Sequence, residues 1–244
     1  ATLCAILAAR DRSGGAAVLS NLVAYTSSQA HSSVEKGVRV AGFAADQLRS
    51  IATDADHAMD PVALAAAIAA DREAGLVPCV VVATVGTTSS GAIDPLPAIA
   101  EVASAAGAWL HVDAAWAGSA AVCPEFQHLL DGLDRADSYC FNPHKWLLTN
   151  FDCTAFYVAD RGPLLESLSI LPEYLRNAAS DAGEVIDYRD WQVPLGRRFR
   201  SLKLWFVLRS YGAEGLRAHI RHHVAAATAL AERIDVNPRL DLAA

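Results

Sequence analysis

The sequence predicts an α/β protein in which a mainly parallel, doubly wound sheet is sandwiched by helices. Ala-rich helical stretches alternate along the chain with short, Val-rich apolar runs, which is the order expected of strand–helix–strand crossover units. The run over residues 78–85 is continuously apolar, which indicates a strand buried on both faces. Hydrophobic residues make up 53% of the 244 residues and charged residues 19%, enough for one large domain or for one domain and part of another.

Two helices have clear start signals. Asp60 followed by Pro61 predicts an N-cap and a first-turn proline, so a helix should continue to residue 74 and end at Gly75. Asp94 and Pro95 repeat this pattern and predict a second capped helix, which should extend to about residue 106.

The remaining elements continue the alternation. Further strands are predicted over residues 109–113, 138–142 and 154–158, and further helices over 197–211 and 214–234. Residues from about 170 to 188 form a polar stretch longer than ordinary connections, which favours a mobile, functional loop. We expect a partial large domain over residues 1–200 and, over 201–244, a helical connection into a small C-terminal domain.

Composition excludes several classes of function. The formal net charge is −7 and there is no block of Lys or Arg, so nucleic acid and anionic membranes are poor partners. No apolar run reaches the ~20 residues that span a bilayer. The five cysteines are scattered without metal-ligand spacing, which predicts buried, reduced thiols in a cytoplasmic protein. His219, His222 and His223 have helical spacing, but without a carboxylate or thiol partner they predict a solvated helix face rather than a metal site.

Polar residues that could carry chemistry follow three of the predicted strands. Asp113 ends one strand, Lys145 lies just after another, and Thr88 follows the strand over 78–85. In a parallel sheet these ends meet at one crevice. Spacing alone leaves two interpretations open: a structural ion pair, or a cofactor site in which Lys145 forms a Schiff base and Asp113 pairs with a pyridinium nitrogen.

The local motifs resemble those of one enzyme family. They are QAHSS at 29–33, ATVGTT at 83–88, HVDAAWAG at 111–118, SYCFNPHKWLL at 138–148 and DWQVPLGRRFRSLK at 190–203. In this order they resemble group II pyridoxal-5'-phosphate (PLP) decarboxylases, in particular the aromatic L-amino-acid decarboxylase branch. The resemblance covers almost the whole chain and implies the large domain of the type I, aspartate-aminotransferase-like fold.

The resemblance implies specific roles around the cofactor ring. Lys145 would hold PLP covalently and exchange it for the substrate amine, and Asp113 would keep the ring nitrogen protonated. His31 would stack on one ring face and Ala115 would pack against the other. Without the motif around it, His31 would be interpreted as a surface loop residue.

Three further residues receive cofactor roles by the same resemblance. Thr88 would lie near the ring, and Asn142 and His144 would help to hold the phosphate. The alternative for His144 is a structural residue beside the lysine.

The resemblance also bears on reaction type and substrate. Tyr174 lies where these decarboxylases carry a tyrosine that protonates the carbon left by CO2, whereas relatives with Phe there tend toward aldehyde formation. Gly196 resembles the small residue of members that accept larger rings. We therefore expect an aromatic L-amino acid of the tryptophan, dopa, tyrosine or phenylalanine type as the small-molecule substrate, and decarboxylation to the amine.

The ends of the chain and the family's assembly lead to further expectations. The first residues resemble a helix already under way, so we expect a fragment that lacks the family's N-terminal segment and most of the C-terminal domain. The complete protein is expected to be a cytoplasmic homodimer. The alternatives are an aromatic aldehyde synthase or aminotransferase on the same fold, or an inactive truncated paralogue that acts as a dimerisation partner.

Overall fold

A single six-stranded sheet organises the protein. The computed structural model describes residues 1–170 and 186–243. The strands are β1 Leu22–Ser27, β2 Leu48–Ile51, β3 Val77–Thr84, β4 Trp109–Asp113, β5 Ser138–Phe141 and β6 Ala155–Val158. Their order in the sheet is β2–β1–β3–β4–β5–β6; β1 to β5 are parallel, and β6 pairs antiparallel with β5. The predicted α/β fold with a mainly parallel sheet is confirmed.

Helices connect the strands and cover both faces of the sheet. The α-helices are α1 Thr2–Arg12, α2 Ser32–Val40, α3 Pro61–Glu73, α4 Leu96–Ala106, α5 Pro143–Trp146, α6 Gly162–Leu168 and α7 Arg200–Asp235. Short 3-10 helices occupy Gly15–Asn21, Ala45–Gln47, Ala117–Val122, Pro124–Leu130, Leu133–Arg135 and Tyr188–Trp191. The two helices predicted near the C-terminus form α7, which is interrupted at Gly212 with φ 63° and ψ 178°.

Alternation along the strands divides the core into two layers. Leu110 and Val112 of β4 face α3 and α4, where they pack with residues such as Ile99. Trp109 faces the other way, toward α1, α2 and α6, and packs with residues such as Ile6. His111 and Asp113 lie on the same face as Trp109, because side chains two residues apart on a strand point the same way. The α1/α2 face therefore carries a row of polar groups that leads to the carboxyl end of β4.

A third apolar cluster joins the end of the chain to the sheet edge. Leu216 and Ile220 of α7 are fully buried against Ala120, Cys123 and Leu147. In the part of the chain that the structure describes, no helix combines the length and apolar character needed to cross a bilayer. The division at residue 200 stays a prediction, and the predicted mobile loop lies mostly outside the described residues.

The two Asp-Pro helix starts behave differently. Asp60 caps α3 as predicted, since its carboxylate accepts a hydrogen bond from the Val62 N–H at 2.8 Å. The prediction that Asp94 caps α4 is wrong. Its side chain instead turns inward and accepts hydrogen bonds from the N–H groups of Met59 and Thr84, both at 2.7 Å. Asp94 therefore joins the end of β3 to the segment before α3.

Candidate active site

The carboxyl ends of β3, β4 and β5 open onto a cavity of about 360 Å³. Parallel strands bring their carboxyl ends to one edge, and this is where doubly wound proteins bind ligands. Asp113 ends β4, Thr84 ends β3, and α5 with Lys145 follows β5. The cavity is lined by Ala1, Thr2, His31, Ser33, Thr84, Gly86, Thr88, Asp113, Ala115, Cys140, Asn142, His144, Lys145, Phe151 and Thr154.

Asp113 forms the buried side of this cavity. It is 6% exposed and lies in register with Thr84 on one neighbouring strand and with Cys140 on the other. Its Oδ1 accepts a hydrogen bond from the Ala115 N–H at 3.0 Å, and the Cys140 thiol lies 3.8 Å from the same oxygen. None of the described residues donates a hydrogen bond to Oδ2. One carboxylate oxygen is thus anchored and the other is available to a ligand.

Lys145 lies on the exposed side. It belongs to the short helix α5, which begins with Pro143. The Lys145 N–H donates to the Asn142 carbonyl at 2.9 Å, and the Asn142 N–H donates to the Ala115 carbonyl at 3.0 Å. These main-chain bonds join the lysine segment to the residues that follow Asp113. The Lys145 amine has no hydrogen bond or ion pair with a described residue, so it can reach into the cavity.

His31 is held at the mouth of the cavity by the start of α2. It is the N-cap residue, and its Nδ1 accepts a hydrogen bond from the Ser33 N–H at 3.1 Å. The Ser33 hydroxyl lies 2.8 Å from the same nitrogen. These contacts orient an exposed imidazole whose Nδ1 already has partners, which leaves the ring face and Nε2 for a ligand.

Asn142 and His144 are tied to the segment that precedes β6. The Asn142 Oδ1 accepts a hydrogen bond from the Thr154 hydroxyl at 2.8 Å. The His144 Nδ1 lies 2.7 Å from the Cys153 carbonyl oxygen and 3.0 Å from the Cys153 main-chain nitrogen, and the ring contacts Phe151 edge-on at 4.8 Å. These are the contacts expected if His144 is a structural residue beside the lysine. Its Nε2 is left for a ligand.

The turn after β3 needs a glycine in order to bring Thr88 to the cavity. Gly86 has φ 83°, and a Cβ there would lie 2.6 Å from the Cβ of Ala117. Both the left-handed backbone and the close approach therefore favour glycine. Burial raises the pKa of Asp94, against the two main-chain hydrogen bonds that lower it. The turn is thus held by a buried carboxylate at its base and by close packing at Gly86.

Neutral, buried groups lie beneath Asp113. Burial lowers the pKa of His111 to about 4, although the nearby charge of Asp113 opposes this shift. Burial also raises the pKa of the Cys140 thiol to about 12, and the charge of Asp113 acts in the same direction. At neutral pH the imidazole is uncharged and the thiol keeps its proton.

The structure brings most of the predicted site residues together. The cavity is lined by seven of them: His31, Thr88, Asp113, Ala115, Asn142, His144 and Lys145. Gly196 is exposed and is not among the lining residues, and Tyr174 lies outside the described residues. The roles of all nine stay predictions.

Some lining residues were not predicted. Thr84 and Cys140 are the register neighbours of Asp113, and only that register distinguishes them from ordinary core residues. Thr154 and Phe151 reach the cavity through the fold of the segment after α5, and nothing in their local sequence indicates it.

The whole chain is similar to proteins of one family. Residues 1–244 match the family described as pyridoxal-dependent decarboxylase conserved domain. The phenylacetaldehyde synthase of Arabidopsis thaliana is 47% identical over 99% of this chain and 50% of its own length. The aromatic-L-amino-acid decarboxylase of Rattus norvegicus is also 47% identical, over 99% of this chain and 52% of its own length.

A solved structure is similar over the same extent. The crystal structure of Oryza sativa TDC with PLP and tryptamine has a TM-score of 0.93 and 51% sequence identity, and the match covers 98% of this chain and 50% of that chain. The chain thus spans about half the length of the curated relatives it matches.

Proposed function

Because the chain belongs to the pyridoxal-dependent decarboxylase family, we propose that the complete protein uses PLP to convert an aromatic L-amino acid to its amine and CO2. The observation that carries the proposal is that Lys145 and Asp113 line the same cavity. A structural ion pair, the other interpretation of these residues, receives no support, since no ion pair joins Lys145 to Asp113 among the described contacts.

The residues of the cavity fit this cofactor. Its volume of about 360 Å³ lies within the range of roughly 300–1,000 Å³ that small ligands occupy. The chain has three lysines, Lys36, Lys145 and Lys203, and of these only Lys145 lines the cavity. A buried carboxylate with one unengaged oxygen suits a protonated ring nitrogen, and the small Ala115 leaves room for a flat ring.

The residues on each side of the cavity have a distinct role toward the cofactor in this proposal. When bound, PLP supplies the electron-withdrawing ring that accepts the electron pair left as CO2 departs. The Lys145 amine would hold the cofactor covalently, and the Asp113 carboxylate would keep the ring nitrogen protonated. His31 and Ala115 would pack against the ring. A charge placed in a site of low dielectric acts strongly on the ring, which suits the buried position of Asp113.

The remaining roles rest on the family resemblance. Thr88 would lie near the ring, and Asn142 and His144, whose contacts are with Thr154 and Cys153, would help to hold the phosphate. Tyr174 returns the proton to the substrate carbon, and Gly196 leaves space for a large aromatic ring in the substrate site.

The substrate, assembly and location belong to the same proposal. The substrate is of the tryptophan, dopa, tyrosine or phenylalanine type, and the complete protein is a homodimer. A cytoplasmic location is supported by the five cysteines, all of which are buried and free.

A second candidate function is aromatic aldehyde synthesis. It is favoured by the Arabidopsis thaliana phenylacetaldehyde synthase, which is as similar to this chain as the rat decarboxylase is. Tyr174 favours decarboxylation. Product analysis separates the two. A decarboxylase releases amine and CO2, whereas an aldehyde synthase consumes O2 and water and releases aldehyde, CO2, ammonia and hydrogen peroxide, so amine against aldehyde and peroxide is the deciding measurement.

The first experiment is a visible-absorbance titration of the complete protein with PLP, followed by borohydride. The wild type and a Lys36→Ala control should show a protein-dependent band that borohydride makes permanent. Lys145→Ala should show no permanent link, and its turnover should fall by at least about 10³-fold, since a nucleophile of covalent catalysis cannot be replaced by its neighbours.

Substrate assays complete this test. Tryptophan, dopa, tyrosine and phenylalanine are compared with glutamate, and amine, CO2 and aldehyde are measured. Faster turnover of glutamate than of every aromatic substrate would contradict the aromatic assignment, and a permanent link in Lys145→Ala would contradict the role of Lys145.

A further inference from the structure

Five buried polar side chains form a continuous row beneath the cavity. Trp109, His111 and Asp113 share one face of β4, and Ser138 and Cys140 of β5 lie in register with His111 and Asp113. Every member is 6% exposed or less. Buried polar groups need partners, so the direction of each hydrogen bond can be worked out along the row.

The row begins at a group that can only donate. The Trp109 indole N–H donates to the Ser138 Oγ at 2.7 Å. The same hydroxyl lies 2.9 Å from the His111 Nδ1. Since an indole cannot accept, His111 Nδ1 is the acceptor available among the described residues for the proton of the Ser138 hydroxyl. His111 is therefore unprotonated at Nδ1 and, being neutral, carries its proton on Nε2.

The row ends at a group that only accepts. The His111 Nε2 faces the Thr2 hydroxyl at 3.3 Å and the Cys140 Sγ at 3.8 Å. The Cys140 thiol in turn lies 3.8 Å from the Asp113 Oδ1 and donates to it. Burial keeps the thiol protonated at neutral pH, so it remains a donor. Every bond in the row thus points from the indole toward the carboxylate.

We propose that Trp109, Ser138, His111 and Cys140 form a one-directional hydrogen-bond chain that positions the Asp113 carboxylate for the cofactor ring. The proposal rests on the proposed function for its consequence and on the buried row for its geometry. The thiol and the Ala115 N–H together occupy Oδ1, so Oδ2 is presented to the ring nitrogen. The four residues are positioning residues, because they act through Asp113.

Two side chains flank the hydrogen-bond chain without offering it an acceptor. The Arg12 guanidinium lies over the Trp109 ring, 4.6 Å from its centroid, and forms an ion pair with Asp137. Phe156 contacts the His111 ring edge-on at 6.2 Å between centroids. The Thr2 hydroxyl and the main chain of Ser138 also face the His111 ring, so the direction of the hydrogen-bond chain rests on the Trp109 indole, which can only donate.

The direct test is the tautomer of His111 in the complete protein without cofactor. Two-bond proton–nitrogen correlation spectra of a sample with ¹⁵N-labelled histidine distinguish protonated from unprotonated ring nitrogens, and His111→Asn identifies the resonance. At neutral pH the chain requires a proton on Nε2 and none on Nδ1. A proton on Nδ1, or on both nitrogens, would overturn the proposal.

The second test links the chain to the cofactor by comparing two buried thiols. Cys140→Ala removes the donor to Asp113, and Cys79→Ala removes an equally buried thiol on β3 that lies 3.6 Å from the Ser13 hydroxyl. We expect Cys140→Ala to weaken PLP binding by roughly 2–10-fold, as for the loss of one hydrogen bond, and Cys79→Ala to leave it unchanged. Similar melting temperatures would exclude a general loss of structure.

The outcomes separate this proposal from the proposed function. Equal weakening in both cysteine variants would contradict positioning by Cys140. If the wild type did not bind PLP at all, the proposed function would fail. The tautomer of His111, together with the response of its Nε2 resonance to Cys140→Ala, would still decide whether the hydrogen-bond chain exists.

Discussion

The two sides of the cavity differ in how firmly they are held. On the inner side, Asp113, Thr84 and Cys140 are 6% exposed or less and lie at the ends of three adjacent strands. On the outer side, Lys145 and His31 are exposed and belong to helix starts. The inner side is part of the core of the sheet, whereas the outer side is attached to it by a few main-chain bonds.

This difference matches the chemistry that each side is proposed to perform. A carboxylate that acts on a ring nitrogen works best when its position is fixed and water is excluded, since reorganisation would weaken its effect. A lysine that exchanges its partner for a substrate amine has to move. The fold therefore places the carboxylate in the core and the lysine amine at the surface, as these two tasks require.

The strongest test of the inner side is Asp113→Asn. The amide keeps the shape and can still accept from the Ala115 N–H, but it lacks the negative charge that stabilises a protonated ring nitrogen. We expect kcat to fall by about 10²–10³-fold, comparable to the loss of a preorganised electrostatic contact, and the melting temperature to change little. Turnover within a few-fold of wild type would show that the charge of Asp113 is not needed.

The buried imidazole predicts a pH dependence of stability. The folded-state pKa of His111 is about 4, below its ordinary value of 6.5. Between these values the unfolded chain binds more protons than the folded protein does. The free energy of unfolding is therefore unaffected by this group above pH 6.5 and decreases as the pH falls from 6.5 toward 4.

Urea unfolding of wild type and His111→Asn at several pH values measures this effect. The asparagine can replace the Nδ1 acceptor without titrating, so the free energy of unfolding of the variant should lose this part of its pH dependence. Parallel pH curves for the two proteins would mean that His111 does not titrate with a lowered pKa.

The sequence predicts which residues can cap a helix better than it predicts which of them form tertiary hydrogen bonds instead. Asp60-Pro61 and Asp94-Pro95 are identical pairs, and both lie at the start of a helix. The Asp60 carboxylate caps its helix, and the Val62 N–H is its donor among the residues that the structure describes. Asp94 is drawn inward because the end of β3 and the segment before α3 each present an N–H to it. That encounter depends on the packing of the sheet, which no local pattern contains.

The same limit applies to the strands. The continuous apolar run of β3 predicts a strand, whereas no pattern predicts β1 or β2. β1 is fully buried, but its apolar residues give way to Thr26 and Ser27, so it lacks the uninterrupted apolar run of β3. β2 has four residues and includes Arg49, which pairs with Asp71, so its polar composition conceals an edge strand.

The residues of the candidate site likewise include some that the sequence could predict and some that it could not. Residues at strand ends, such as Asp113 and Lys145, could be found because parallel topology brings those ends together. The polar row beneath Asp113 could not, since Cys140 resembles an ordinary small core residue until its register with Asp113 is known. Sequence patterns thus indicate which residues face a cavity more readily than which residues hold them in place.

The smallest expected effect is that of a substitution on the outer side of the cavity on the free energy of unfolding. Lys145 is exposed, and its amine has no hydrogen bond or ion pair with a described residue, so Lys145→Ala should change the free energy of unfolding of the cofactor-free protein by less than about 0.5 kcal/mol. The inner side gives the matched comparison, because His111→Leu would leave the Ser138 hydroxyl without its acceptor and should cost about 1–3 kcal/mol. Urea unfolding without PLP measures both. If the two substitutions cost the same, the sides of the cavity would not differ in how they are held, and the mobility of the lysine would need another explanation.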